Sequence, residues 1–223
     1  MAVRADISNA VQDYAKAIWS LAQRGDRPVS TSALADRLEV SPASASAMVK
    51  RLESMGLVEH EPYHGVALTS AGERVALEVV RHHRLLELYL SEALGMPWDR
   101  VHAEAEVLEH AISPALSELI AAKLGNPTHD PHGDPIPTAD GEIDQTPTRP
   151  LADLEPGVQG IFVRVSDSDP DMLRYLAERG IAPGDRFEVL AREPFEGPLT
   201  VLFGDRAHVL GGALTKAMRT VSP

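Results

Sequence analysis

The amino-acid sequence predicts a mainly α-helical protein with a small β-rich domain in its C-terminal third. Apolar side chains recur at helical spacing through most of residues 8–124, and short apolar alternations recur through residues 160–210. Residues 125–150 are dense in proline, glycine and polar side chains and show no period, so they are predicted to be a linker. A chain of 223 residues can form one large or two modest domains with their own cores.

The first three predicted helices include a helix-turn-helix. Residues 8–23 carry apolar side chains at helical spacing and form the first helix. Ser30 is a suitable N-cap for a second helix over residues 33–38, and a third helix over residues 43–55 ends before Gly56. Two short helices separated by a tight turn are typical of a helix-turn-helix.

A hairpin and two longer helices follow along the chain. Residues 57–60 and 66–69 are short apolar alternations around a turn, so they are predicted to form the wing of a winged helix. A long helix then runs through Leu94, where a glycine and a proline break the pattern. Asp99 is positioned to cap the next helix, which is predicted over residues 100–124.

The C-terminal part of the sequence is predicted to be a small β-rich domain. Its predicted strands cover residues 160–165, 186–192, 199–203 and 206–210, and its predicted helices cover residues 170–179 and 214–218. The domain boundaries predicted from these patterns are 1–73 for the winged helix, 74–140 for the helical domain, 141–150 for the linker and 151–223 for the β domain.

Composition and charge narrow the class of protein. The absence of cysteine excludes disulfides, thiolate ligands and thiol catalysis, and it fits a reducing compartment, so the cytoplasm is the expected location. No run approaches ~20 apolar residues, so neither membrane spanning nor secretion is expected. The net charge of -12 argues against a nucleic-acid partner. However, residues 1–70 carry 7 basic and 8 acidic groups, whereas residues 71–140 carry 5 and 12.

A stripe of possible metal ligands occupies the predicted helix after Asp99. His102, Glu106, Glu109 and His110 stand at i, i+4, i+7 and i+8, which on an α-helix is one stripe about 100° wide. Carboxylates at the edge of a packed face repel one another unless a cation or a proton compensates them. A solvated helix face is the alternative interpretation of the same charges.

A second set of donors lies on the preceding long helix. His83 and Glu87 are spaced i, i+4, and the short connection makes the two long helices antiparallel neighbours. Residues 83–87 and 102–110 lie at comparable distances from that connection, so the two sets can face each other. Imidazole and carboxylate donors without sulfur suit Mn²⁺, Fe²⁺ or Zn²⁺.

The predicted recognition helix presents small side chains to a DNA partner. Its candidate contact residues are Ser41, Ala43, Ser44, Ser46 and Ala47. Hydroxyls and methyls contact phosphates or thymine methyls but give no bidentate reading of a base, so much of the specificity is expected from DNA shape and dimer spacing. The candidates for phosphate contact, each of which is otherwise an ordinary solvated side chain, are Arg27, Arg37, Lys50 and Arg51. The alternative is a winged helix that serves packing only.

The remaining histidines and the tryptophans are given simpler roles. The histidines predicted to be surface groups are His60, His64, His129, His132 and His208. Trp19 and Trp98 lie on apolar stripes and are predicted to be core residues.

These motifs, in this order, resemble the diphtheria-toxin-repressor family of metal-dependent repressors. The resemblance rests on the winged helix with VQDY in its first helix, then HHRLLE, HAEAEVLEH, GNPTHDPHGDPIP and a small β domain, and it spans nearly the whole chain. Within that family the chain is most similar to the manganese-responsive regulators that keep a third domain. In the iron-responsive branch Met and Cys occupy the places of Asp13 and Glu106, and the harder carboxylates here favour Mn²⁺.

The resemblance implies two metal sites and a domain plan. The implied primary site consists of Asp13, Glu106, Glu109 and His110. The implied ancillary site consists of His83, Glu87 and His102, completed by a side chain of the third domain, for which the candidates are Asp167 and Asp169. Lys16 replaces a glutamate ligand of the short manganese regulators, so their close two-metal arrangement is not expected. The helical domain is implied to dimerise, and the third domain to be an SH3-like (FeoA-like) barrel.

The resulting hypothesis is a homodimeric, Mn²⁺-activated transcriptional repressor that binds palindromic operator DNA and controls metal homeostasis genes. An iron(II)-dependent repressor of the same family is the alternative, and other divalent transition metals are expected to bind in vitro. A metallohydrolase is the weaker hypothesis from another class, because the sequence has no HExxH motif, nucleophile elbow or glycine-rich phosphate loop. No enzymatic activity, small organic ligand or membrane partner is expected.

Overall fold

The computed structural model describes residues 7–23, 25, 28–61 and 64–222. The chain forms two compact units, one from Met1–His82 with Pro137–Glu142 and one from His83–Ile136 with Ile143–Pro223. Within the described residues, no helix has the length and apolar character needed to cross a membrane.

The first compact unit contains the predicted winged helix-turn-helix. Its elements are α1 (Asn9–Gln23), α2 (Thr31–Arg37), α3 (Pro42–Ser54), β1 (Val58–Glu61), β2 (Gly65–Leu68) and the start of α4 (Ser70–Leu94). The side chains of Ser30 and Ser41 cap α2 and α3, and β1 pairs with β2 in an antiparallel wing. Gly65 has φ +114, and a Cβ there would lie 2.7 Å from the Val29 carbonyl oxygen, so glycine is required where the wing meets the preceding loop.

The single helix predicted over residues 100–124 is not observed in the second compact unit. Two helices replace it, α5 (Val101–Leu108) and α6 (Pro114–Lys123). Proline disfavours helical geometry at the residue before it, and the Ser113 hydroxyl instead caps α6 by accepting from Leu116 N at 3.2 Å. Asp99 does not cap α5 as predicted: the N-cap position is occupied by Arg100 without a side-chain hydrogen bond, and the Asp99 carboxylate instead accepts a hydrogen bond from Arg174 at 2.9 Å.

The predicted linker also needs correction, because residues 130–136 are packed into the second compact unit. Arg84 donates to the Pro135 carbonyl at 2.5 Å, and Val165 N donates to the His132 carbonyl at 3.0 Å. Gly133 has φ +85, and a Cβ there would lie 1.9 Å from the Val163 carbonyl oxygen. Composition alone suggested an open linker, but this segment packs on a strand and needs a glycine to do so.

The rest of the second unit confirms the small β domain. The antiparallel sheet has the order β3-β8-β4-β5-β6-β7, with strands β3 (Arg149–Pro150), β4 (Gln159–Val165), β5 (Arg186–Arg192), β6 (Leu199–Phe203), β7 (Arg206–Leu210) and β8 (Met218–Val221). Helices α7 (Pro170–Ala177) and α8 (Gly212–Ala217) accompany it. The sequence did not predict β3 or β8, and Met218 begins β8 instead of ending a helix. Side chains of alternating burial along β6 and β4 supply much of its core.

Candidate metal centre

Four side chains of the second compact unit converge on one point. His83 and Glu87 come from α4, His102 comes from α5, and Asp167 follows β4; their ligand atoms all lie within 4.8 Å of one another. We call these residues the four-residue group. Glu87 Oε1 lies 3.0 Å from His83 Nε2 and 3.2 Å from His102 Nδ1. His102 Nδ1 also lies 3.0 Å from Asp167 Oδ2.

These distances fit a divalent cation. Two ligand atoms about 2.2 Å from one ion, at about 90° to each other, lie about 3.1 Å apart. His83 Nε2 and His102 Nδ1 are 3.1 Å apart, so two ring nitrogens face each other at that separation. The donor set of two imidazoles and two carboxylates has no sulfur and is of the kind that manganese, iron and zinc accept.

Burial and charge at the four-residue group demand a positive partner. Glu87 is fully buried, and burial by itself raises the pKa of its carboxyl group. The charge and hydrogen bonds of the neighbouring histidines outweigh this effect and hold the pKa of Glu87 well below its usual range. Burial alone lowers the pKa of His102, but hydrogen bonds with Asp167 and Glu87 raise that pKa to about 10. Without a metal, protonated His102 therefore supplies the positive charge that a cation would otherwise bring.

A second set of possible ligands adjoins the four-residue group at His83. The Nδ1 atom of His83 lies 2.5 Å from Glu109 Oε2, while Glu109 Oε1 lies 3.5 Å from His110 Nε2. Glu109 is buried at the end of α5, His110 follows it half-buried, and Glu106 is exposed with Oε1 3.8 Å from His83 Nδ1. Asp13, the fourth residue of the implied primary site, is half-buried on α1 in the first compact unit.

Only one of the two candidates from the third domain joins the four-residue group. Asp167 does so, whereas Asp169 lies at the N-terminus of α7. Its Oδ1 accepts hydrogen bonds from Asp171 N at 3.0 Å and Met172 N at 3.3 Å. A carboxylate in this position satisfies backbone N–H groups that the helix leaves unpaired, so Asp169 has a structural role.

The sequence prediction missed two residues beside this group, Asp130 and His132. His132 was expected at the surface but is fully buried. Its ring stacks on Trp98 at a centroid distance of 5.8 Å, and its Nε2 donates to the Trp98 carbonyl at 2.8 Å. The available signal was the alternation of Asp130, His132 and Asp134, because polar side chains at alternate positions of a rigid Pro-rich segment can face the same partner.

The candidate DNA-contacting helix exposes the residues that the sequence singled out. On α3 the exposed residues are Ala43, Ser44, Ser46, Ala47, Lys50 and Arg51, while Ala45, Val49 and Leu52 are buried. Ser41 is exposed but caps α3 by accepting from Ser44 N at 3.1 Å, and the Ser46 hydroxyl donates to the Pro42 carbonyl at 2.8 Å. Arg37 is exposed at the end of α2, and Arg27 lies outside the described residues.

Comparison with known families covers nearly the whole chain. Residues 6–66 match the family described as iron dependent repressor, N-terminal DNA binding domain. Residues 69–138 match the iron dependent repressor, metal binding and dimerisation domain, and residues 149–218 match the FeoA domain.

Individual proteins show the same similarity. The iron-dependent repressor IdeR of Mycobacterium leprae (strain TN) is 32% identical over 197 residues, which cover 82% of this chain and 85% of that protein. A solved structure described as a manganese-dependent transcriptional repressor in complex with manganese is 46% identical, with a TM-score of 0.89, and covers 96% of this chain and 100% of its own. The manganese regulator SloR is 29% identical, with a TM-score of 0.76 and coverages of 96% and 98%.

Proposed function

Because the chain belongs to the iron-dependent repressor family, which includes the diphtheria toxin repressors, it is a metal-dependent transcriptional repressor and not an enzyme, and we propose that manganese(II) activates it. The observation that carries the proposal is the four-residue group, in which two carboxylates and two imidazoles converge with no sulfur donor. Oxygen-rich sites of this kind suit Mn²⁺, which binds weakly to most ligands and is selected by ligand type and geometry. The 46% identical repressor structure in complex with manganese supports the same choice.

We propose that the protein uses two metal sites. The four-residue group would be the ancillary site, with the third domain contributing Asp167. On the family resemblance, Asp13, Glu106, Glu109 and His110 would form the primary site that controls DNA binding. A bound cation supplies positive charge to the carboxylates. Without that cation, the carboxylates that the resemblance assigns to the primary site would repel one another, and the DNA-competent state would become a minority.

The proposed partner is palindromic operator DNA bound by a homodimer in the cytoplasm, at genes of metal homeostasis. Exposed Lys50 and Arg51 are suited to phosphate contact, while the hydroxyls of Ser41 and Ser46 already form hydrogen bonds with the backbone of α3. Apolar side chains at the surface support a dimer: Val107 is 73% exposed and Leu119 is 68% exposed. Recognition helices of such a dimer are about 34 Å apart, one turn of DNA.

An iron(II)-activated repressor is the second candidate, favoured by the relatives named iron-dependent repressors. Operator binding titrated with Mn²⁺, Fe²⁺, Zn²⁺ and Co²⁺ under controlled free metal separates the two. We expect Mn²⁺ to activate binding at free concentrations available in cells. Activation by Fe²⁺ at much lower free concentration, with Mn²⁺ inert, would overturn the assignment.

The role of the primary site is tested by Asp13→Ala. This variant should lose metal-dependent operator binding while it remains a folded dimer, because it removes a carboxylate ligand of the controlling site. Asp36→Ala is the matched control, since Asp36 is an exposed carboxylate on α2 of the same compact unit. Gel-shift titrations with and without Mn²⁺ give the ratio of affinities, and an unchanged ratio for Asp13→Ala would refute the account.

A further inference from the structure

The two carboxylate oxygens of Glu87 face different groups of side chains. Oε1 lies in the four-residue group, whereas Oε2 lies 3.7 Å from His132 Nδ1. Both residues are fully buried, and among the described residues neither Oε2 nor Nδ1 has a hydrogen-bond partner. A separation of 3.7 Å is too long for a hydrogen bond. Buried polar atoms without partners are rare and costly, so this pair requires an explanation.

The tautomer of His132 decides what can lie between Nδ1 and Glu87 Oε2. Nε2 lies 2.8 Å from the Trp98 carbonyl oxygen, which only accepts, so Nε2 carries a hydrogen. When Nδ1 carries no hydrogen, its lone pair is directed towards a carboxylate oxygen of Glu87, and two buried acceptors that face each other require a positive species between them. In the metal-free protein that species is a proton: burial lowers the pKa of His132, but its contact with Glu87 raises that pKa to about 9. A metal ion can take the place of this proton. Two ligands about 2.2 Å from one ion, at about 115° to each other, lie about 3.7 Å apart, which matches this pair.

A third donor completes the set. The Oδ1 atom of Asp130 accepts hydrogen bonds from His132 N and Asp134 N, both at 2.9 Å. Its Oδ2 lies 3.8 Å from Arg84 Nε, which is beyond hydrogen-bond distance. The Arg84 guanidinium bonds elsewhere, to the Pro135 carbonyl at 2.5 Å and to Asp134 Oδ1 at 3.3 Å. Ligand atoms of Glu87, Asp130 and His132 lie within 4.8 Å of one another.

We propose that Glu87, Asp130 and His132 form a further divalent-cation site, which shares the Glu87 carboxylate with the four-residue group. Oε1 serves one ion and Oε2 the other, as bridging carboxylates do in two-metal centres. The donors are two oxygens and one nitrogen of buried side chains, so the ligand is a divalent cation such as Mn²⁺ whose remaining ligands would be water. The proposal rests on the proposed function in one respect, namely that the four-residue group also holds a metal.

This site would hold the segment around His132 in place from both sides. The His132 carbonyl accepts from Val165 N of β4, and the side chain would bind the ion held by Glu87 of α4. The Asp134 carboxylate receives hydrogen bonds from Arg84 of α4 and Arg164 of β4. An ion on His132 therefore adds a link between α4 and the β domain within the second compact unit.

The test counts ions on the full-length protein. Metal-stripped wild type is dialysed against saturating free Mn²⁺, and bound manganese per chain is measured by elemental analysis. His132→Phe keeps an aromatic ring against Trp98 and removes the ligand nitrogen, so it should lose one Mn²⁺ per chain. His129→Phe makes the same change at an exposed neighbouring histidine and should lose none. Asp130→Asn is the second variant, because its amide oxygen can still accept the two backbone hydrogen bonds.

The outcomes are distinct. An unchanged ion count in both variants would overturn the site. So would a full count with weaker binding, because His132 would then only position Glu87. If neither variant folds, anomalous diffraction at the manganese edge from wild-type crystals decides, since the site requires a peak between Glu87 and His132. Operator binding is measured on the same wild-type samples, and indifference to Mn²⁺ there contradicts the proposed function without altering the ion count.

Discussion

Replacing Asp167 by asparagine should weaken metal binding at the four-residue group by an amount that follows from its contact with His102. The Oδ2 atom lies 3.0 Å from His102 Nδ1. Burial by itself raises the pKa of Asp167, but the hydrogen bond and charge of His102 outweigh burial and lower this pKa from 3.8 to about 2. At about 1.4 kcal/mol per pKa unit, this difference corresponds to about 2.5 kcal/mol. A lowered carboxyl pKa stabilises the metal-free fold above pH 3.8, and that stability is lost as the pH falls through 2.

The same charge acts on a bound cation. A divalent ion carries more charge than the imidazolium of His102, so Asp167→Asn should cost at least about 2.5 kcal/mol of binding, or about 60-fold in affinity. Electron paramagnetic resonance of free Mn²⁺ during titration of the full-length protein measures this. The matched control is Asp169→Asn, which makes the same charge change two residues away and keeps a good cap for α7. Equal losses in the two variants, or no loss in Asp167→Asn, would refute the reasoning.

Two further predictions concern pH and packing. Because the pKa of His102 is raised to about 10, a metal that binds the four-residue group must displace the His102 proton. The apparent metal affinity of the group should therefore rise about tenfold per pH unit between about pH 6.5 and 9. Calorimetric titration in buffers of different ionisation enthalpy counts the released protons, and a count of zero would contradict this prediction. The raised pKa stabilises the metal-free fold fully below pH 6.5, and that stability declines as the pH approaches 10. Gly133→Ala should destabilise the protein by more than about 1 kcal/mol in urea unfolding, because the new Cβ meets the Val163 carbonyl at 1.9 Å. Gly125→Ala has φ +79 but no neighbour within 4 Å, so an equal cost there would show that the clash is irrelevant.

The helices and strands that local signals define could be predicted from the sequence. Ser30 caps the helix that its position indicated, and four of the six strands of the β domain follow their apolar alternation. Elements that depend on distant partners could not be predicted. Strand β3 has two residues and exists because Arg149 pairs with Thr220, 71 positions away along the sequence. The break before α6 was missed because apolar spacing continues across Ser113 and hides the proline signal.

The candidate metal site also contains residues that could be predicted from the sequence and residues that could not. His83, Glu87 and His102 were predictable because i, i+4 spacing and a short connection place two helix faces together. The third-domain partner was narrowed to two aspartates, and only the fold shows that Asp169 caps a helix while Asp167 faces His102. The burial of His132 was not predictable, because composition describes a segment's solubility but not the strand against which it packs.

His83 makes the two sets of donors interdependent. If Nε2 binds a metal beside Glu87, the neutral ring must carry its hydrogen on Nδ1, which lies 2.5 Å from Glu109 Oε2. The carboxylate of Glu109 then accepts that hydrogen bond and has its other oxygen towards His110, at 3.5 Å. A cation at the proposed primary site withdraws charge from Glu109 and weakens its hold on the His83 hydrogen. If both proposed sites bind metal, binding at each would therefore change affinity at the other by the same factor, and the ancillary metal would be part of the proposed switch.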